Sequence, residues 1–207
     1  GSYVMENVLF KISFPAEFHA QTAVEAALAL HDEVKNRLDE VEKIVITTQE
    51  SGHRIINKTG ELANPADRDH CIQYMVAVPL IYGELKAEHY EDSVAKDPRI
   101  DALRSKMEVE VDDRYTKEYL ESDKRSIANA VQVFYKDGTS SKKVEVEYPI
   151  GHRRRRSDGI PLLIEKFERN IALKLSPKKC EQIKKICASQ KELEAMPFND
   201  FSDLFAL

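Results

Sequence analysis

The sequence predicts an α+β fold, with a small mixed α/β domain over residues 8–149 and a helical segment over 150–207. Three observations carry this. Runs that alternate apolar and polar residues, or are rich in β-branched ones, recur at 8–14, 41–48, 107–111, 129–136 and 142–148. Helical patterns lie between them at 18–38, 64–80, 87–94 and 98–106. Beyond Pro149 no strand signal remains, and helical patterns follow over 161–175 and 177–193.

Each element has a local reason. VLFKISF at 8–14 alternates until Pro15 breaks it. The 18–38 helix leads into VEKIVITT, and a strand, helix, strand order makes a plausible α/β unit. A loop through Gly60 precedes Asn64 and Pro65, which suit the N-cap and first position of the next helix, and Pro79 is expected to kink or end it. Asp137-Gly138-Thr139 joins the last two strands into the clearest hairpin of the chain. Residues 1–7 read as a cloning scar and linker, because Gly1-Ser2 precedes Tyr3 with no Met between.

Composition excludes more than it identifies. The 31 basic and 36 acidic residues are well mixed and leave a formal charge of −5, so no global field draws nucleic acid or an anionic membrane. No run approaches the roughly 20 apolar residues of a membrane span. Cys71, Cys180 and Cys187 are too few and scattered for a disulfide framework, a zinc site or an iron–sulfur cluster, so no cofactor is expected.

Three groups carry residues suited to chemistry. KISFPAEFHA places Lys11 and His19 at adjacent structural ends, where a cation and an imidazole can share a site; the plain alternative is a surface lysine and a helix-start histidine. On a continuous 64–80 helix, Asp67, His70 and Tyr74 fall at i, i+3 and i+7, an acid, an imidazole and a phenol along one face, with Arg68 on a neighbouring one. The alternative is an acidic helix start with Tyr74 half in the core. Arg153, Arg154, Arg155 and Arg156 form a dense cation patch able to pair carboxylates bidentately, or else a solvated turn or a clamp between domains.

The strings VLFKISFPAEFHAQTAVEAA, NPADRDHCIQYMVAVPLIYG, VEVEYPIGHRRRRSDGIPLLIEKF and the closing MPFNDFSDLFAL resemble the C-terminal part of the MmgE/PrpD family, in its fungal-type branch. The resemblance implies a two-part subunit. A large helical domain, built from an upstream portion plus the chain's end, would be covered by the α+β domain as a lid. It implies removal of water from 2-methylcitrate to give 2-methyl-cis-aconitate in propionate catabolism, without an iron–sulfur cluster. It also implies a homodimer, and a mitochondrial matrix location in a eukaryote or a cytoplasmic one otherwise.

By the same resemblance, Lys11 is the family's small-domain pocket lysine, His19 belongs to its loop, and Tyr74 is the helix tyrosine with His70 beside it. Lys11 and His19 are then expected to bind and polarise substrate carboxylates, with Arg68, Arg153 and Arg154 as further anion contacts. Tyr74 or His70 would assist proton delivery to the leaving hydroxyl. The remaining pocket residues would lie in the missing N-terminal helical domain, so this chain alone is expected to be inactive. Related readings are cis-aconitate decarboxylation or citrate dehydration on the same fold, or a non-catalytic module that docks an acidic partner through its arginines.

Overall fold

The computed structural model describes residues 11, 12 and 14–206. Four strands form a mixed sheet of order β2-β1-β3-β4: β1 (Val41–Thr48), β2 (Met107–Val111), β3 (Asn129–Tyr135) and β4 (Val144–Val146). β1 runs parallel to β2 and antiparallel to β3, and β3 antiparallel to β4. Ile44 opposes Val133 and Ile46 opposes Val131, so these four side chains share the buried face. Lys43, Val45, Gln132 and Phe134 alternate onto the other, half-exposed face. A bulge between Val41 and Lys43 turns Val41 inward too, which strict alternation from Ile44 would forbid.

A 3-10 turn at Phe18–Ala20 leads into α1 (Gln21–Val34), which packs against β3 and β4. Ala23, Ala26, Ala27, Leu30 and Val34 recur at helical spacing and are buried, and the three alanines let neighbouring backbones approach closely. α2 (Glu50–Ile56) follows β1 directly. Then come α3 (Pro65–Asp69) and α4 (Ile72–Tyr82), in which every residue from Ile72 to Ile81 is buried. A helix apolar on all sides must be enclosed, and α4 packs on α1 and on α6 (Pro98–Arg104), which follows the single turn α5 (Asp92–Ala95). α7 (Asp113–Leu120) follows β2, with the Asp112 carboxylate accepting from the N–H groups of Arg114 and Tyr115.

Several expectations need correction. The helix expected over 64–80 is two helices, because the chain turns extended at Cys71. The break is held from outside. The Cys71 thiol donates to the Lys58 carbonyl at 3.3 Å, and Gln73 Nε2 donates to Asn57 Oδ1 at 2.6 Å, so 57–58 is tied across it. Asp67, His70 and Tyr74 therefore do not share one helical face. Pro79 does not stop α4; its missing bond costs about 3 kcal/mol, and burial of Leu80 and Ile81 returns a similar or larger amount at about 1.5–3 kcal/mol each.

α2 lies where a loop was expected, and α7 in a stretch given no element. The second hairpin strand is shorter than 142–148, because the Ser141 hydroxyl takes the Val133 N–H at 3.0 Å in place of a ladder partner. Most of the strand expected at 8–14 lies outside the described residues; Lys11, Ile12 and Phe14 belong to no helix or strand.

The chain divides into two units between Arg155 and Arg156. Residues 150–155, which the pattern at Pro149 assigns to the tail, sit with the first unit: Arg155 donates to Glu25 of α1 at 2.7 Å and to the Tyr148 carbonyl at 2.6 Å. The second unit is helical, with α8 (Arg156–Ala172), α9 (Pro177–Cys187), α10 (Gln190–Ala195) and α11 (Phe198–Leu204). Its own core is small, centred on Ile171, Cys180 and Ile183 with Phe167, Leu175 and Leu204 against them.

α4 ends on Gly83, whose φ of 73° is left-handed and whose N–H caps the Pro79 carbonyl at 2.9 Å. A Cβ there would also meet the His31 ring at 2.9 Å. Gly83→Ala is expected to cost about 2 kcal/mol or more, from backbone strain plus the clash, read as a lower urea midpoint with unchanged slope.

Candidate functional site

The best-formed polar cluster lies beyond the C-terminal ends of the parallel pair β1 and β2, the place where open α/β sheets hold ligands. β1 delivers α2 and β2 delivers α7 there, and the Glu50 N–H donates to Thr116 Oγ1 at 3.0 Å, joining the two helices. His19 enters on the turn before α1. Its carbonyl accepts from Asn129 Nδ2 at 2.7 Å, and its Cβ lies 3.4 Å from where a Cβ on Gly52 would be, which sets the turn against α2.

The His19 ring is largely enclosed, with about 14% of its side-chain surface exposed. Nδ1 lies 2.8 Å from Glu17 Oε1, and Nε2 lies 3.4 Å from the Tyr119 hydroxyl of α7. Glu17 also accepts the His19 backbone N–H at 2.7 Å, which caps the turn. Burial alone would raise the Glu17 carboxyl, but the hydrogen bonds and positive field of His19, with a contribution from His70, hold it below its ordinary value. His70 is exposed, with Nδ1 2.5 Å from Asp69 Oδ1. Lys11 is exposed and places Nζ 4.9 Å from the centre of the Phe18 ring, one residue from His19.

Tyr74 and Arg68 face a different place, a cavity of about 770 Å³ whose walls also include Lys58, Gln73, Asp97 and Arg104. The Tyr74 hydroxyl donates to the His89 carbonyl at 2.5 Å, and burial pushes the phenol up to about 12. Arg68 is buried and donates to the Tyr90 carbonyl at 2.5 Å and to Asp92 at 2.7 Å. The structure therefore pairs His19 with Glu17, brings His70 within the electrostatic reach of that carboxylate, sets Lys11 on the adjacent Phe18 ring, and leaves Tyr74 and Arg68 lining the separate cavity. Arg153 and Arg154 form a third place: Arg154 donates to the Asp123 carbonyl at 2.5 Å and lies over the Tyr148 ring at 5.2 Å.

Glu17 and Tyr119, the two partners of the His19 ring, are not among the residues the sequence singled out. Glu17 stood in view two residues from His19, but Tyr119 lies a hundred residues away and no sequence spacing could have linked them. Among the described residues, no group of three His, Cys, Asp or Glu side chains is placed to hold a metal ion, and no helix is long and apolar enough to cross a membrane.

The MmgE/PrpD C-terminal domain profile matches residues 14–192. The chain belongs to the MmgE/PrpD family. Within it, the chain is 52% identical over its whole length to the 2-methylcitrate dehydratase of Escherichia coli K12, covering 44% of that protein. It is 54% identical to the 2-methylcitrate dehydratase of Cupriavidus necator, over all of this chain and 43% of that one. It is also 54% identical to the mitochondrial 2-methylcitrate dehydratase of Yarrowia lipolytica, over 99% of this chain and 40% of that one. The chain thus spans less than half the length of these MmgE/PrpD relatives.

On the cavity rim, Asp97 caps α6 through the Arg99 N–H at 2.9 Å, binds the Arg99 guanidinium at 2.6 Å and accepts from the Tyr82 hydroxyl at 2.6 Å. The Arg99 hydrogen bond, against burial and aided by Tyr82, holds its carboxyl well below the usual carboxylate range. A depressed folded pKa gives stability that is present above the unfolded value near 4 and is lost as pH falls toward the folded one. Asp97→Asn, which keeps a cap but removes the charge, is expected to cost about 1–2 kcal/mol at neutral pH. It should also flatten the loss of stability below about pH 4, as measured by denaturant unfolding across pH.

Proposed function

We propose that this chain is the C-terminal portion of a 2-methylcitrate dehydratase and supplies one wall of its active site. The observation that carries the reading is the 52–54% identity, over the full length of the chain, to proteins of that name from bacteria and a yeast. The reaction eliminates water from 2-methylcitrate: a C–H proton next to a carboxylate leaves, its electron pair forms the double bond, and the departing hydroxide takes up a proton. A base, an acid and cations for three carboxylates are needed.

In this reading Lys11 meets a substrate carboxylate and His19 stands beside it at the reacting carbon. Of the two candidates for proton delivery, the geometry favours His70. Its imidazole is exposed, whereas the Tyr74 hydroxyl is committed to the His89 carbonyl and hard to ionise. Arg68 and Tyr74 then support the wall from behind, and Arg153 and Arg154 remain candidates for a carboxylate at its margin. The rest of the site belongs to an upstream helical domain. The second unit is suited to pack on that domain, because Ile160, Leu162 and Ile164 of α8 are 39–51% exposed. Homodimerisation belongs to the whole protein. Bacterial and yeast relatives match equally well, so the compartment follows the source, the matrix in a eukaryote and the cytoplasm in a bacterium.

The whole protein is expected to turn over 2-methylcitrate with a higher kcat/KM than citrate or cis-aconitate, followed by ultraviolet absorbance of the conjugated product. A preference for cis-aconitate with release of carbon dioxide would reassign it to decarboxylation. Lys11→Ala should lower kcat/KM roughly 100-fold or more; an unchanged value removes Lys11 from the site. This chain alone should show no turnover, since half a constellation cannot hold attack geometry.

A further inference from the structure

Elimination from 2-methylcitrate leaves open which group takes the carbon-bound proton, and the surroundings of His19 narrow the choice. An imidazole has two ring nitrogens, and in the neutral form only one carries hydrogen. Nδ1 faces both oxygens of Glu17, at 2.8 and 3.1 Å. An ionised carboxylate only accepts, so Nδ1 must be the donor. In the neutral ring Nε2 is then a bare lone pair, and the Tyr119 hydroxyl at 3.4 Å is placed to donate to it. The 3.4 Å separation is long for such a bond, which leaves Nε2 loosely held and able to exchange Tyr119 for a substrate atom.

Three further contacts keep this arrangement in register. The Glu17 carboxylate accepts the His19 backbone N–H, Asn129 holds the His19 carbonyl, and the His19 and Tyr119 rings lie 5.7 Å apart, tilted at 50°. The arrangement follows the logic of a base held by a carboxylate: the acid fixes the tautomer and stabilises the imidazolium once a proton has been taken.

We infer that His19 is the proton-abstracting base of the dehydration, acting through Nε2, and that Glu17 and Tyr119 are its positioning residues. This rests on the dehydratase reading and changes the part of His19 in it, since a bare Nε2 accepts a proton and cannot donate to a carboxylate. The step balances within the substrate. The proton leaves carbon for Nε2, the C–H electron pair becomes the double bond, hydroxide departs from the neighbouring carbon, and His19 becomes an imidazolium paired with Glu17. Lys11, on the Phe18 ring, is left to meet the carboxylate that acidifies the C–H bond.

The test uses the whole protein. With histidine-selective ¹⁵N labelling, His19 is expected to show a protonated Nδ1 and an unprotonated Nε2 at neutral pH; the opposite tautomer overturns the inference. Glu17→Gln should lower kcat about 10- to 100-fold, with KM within roughly threefold of the parent. It should also raise the deuterium isotope effect on kcat for substrate labelled at the carbon that loses the proton. Glu17→Asp should recover part of the loss. Tyr119→Phe, which keeps the ring, should lower kcat by a smaller factor and leave the fold intact by circular dichroism.

Equal kcat and isotope effect in Glu17→Gln and the parent overturn the positioning of His19, even if His19→Gln is inactive. Should the parent fail to dehydrate 2-methylcitrate at all, the dehydratase reading falls, and with it the assigned step. The tautomer measurement still decides whether Glu17 sets the protonation of His19.

Discussion

One buried knot of hydrogen bonds fixes how the first helix meets the sheet. Asn129, at the start of β3 and fully buried, donates from Nδ2 to the His19 carbonyl and to Thr22 Oγ1, both at 2.7 Å. Thr22 has a single hydroxyl hydrogen and gives it to the Ile127 carbonyl at 2.5 Å, so it must accept from Asn129. The start of α1, the loop into β3 and the turn bearing His19 are thereby locked to one another. Leaving any one of these buried groups unpaired costs about 1–3 kcal/mol, as much as burying a large apolar side chain gains. The knot is buried, so it specifies register as well as adding stability.

Around the knot the core is made by close approach. The alanines of α1 bring α4 and the sheet near, and α4 is apolar enough to need cover on all sides. That demand explains why α4 continues through Pro79 and ends only where Gly83 can take a left-handed turn beneath His31. It also explains why Cys71, and not the more usual glycine or proline, marks the preceding break: its thiol and Gln73 are bound to residues 57–58, and the helix has to begin afresh to leave them there. The same core positions the parallel strand ends, and with them α2 and α7 beside His19.

The sheet was legible in the sequence because its signals are local. β1 and β2 fall on the expected residues, and the turn at Asp137-Gly138 has the glycine at φ 82° that a tight hairpin needs. The first long helix and those starting at Pro65, Pro98 and Pro177 were marked by periodicity or by a proline at the first turn. α2 escaped notice because a glycine sits inside ESGHRII, and Gly52 has a place there because Thr48 and Gln49 crowd the space a side chain would fill. α7 escaped because DRYTKEYL buries only Tyr115, leaving too little apolar pattern to read. For the site, the local pair of residues 17 and 19 was within reach of sequence spacing. The Tyr119 contact and the separation of Tyr74 from His70 exist only in three dimensions.

The cationic residues show why a residue count is a weak guide to a binding site. In sequence, four successive arginines form a dense cation patch that reads as an anion site, a solvated turn or a clamp between domains. In the fold, Arg155 is held by Glu25 and the Tyr148 carbonyl, Arg154 by the Asp123 carbonyl, and Arg68 by the Tyr90 carbonyl and Asp92. A guanidinium held by a carbonyl or a carboxylate is fixed in direction, so its remaining donors can serve a substrate only where that orientation allows. A tricarboxylate arriving at His19 would also meet the negative Glu17 and Asp69 nearby. On the proposed reading, charge balance calls for cations beyond Lys11, at the margin of this chain or in the part of the protein that would face it.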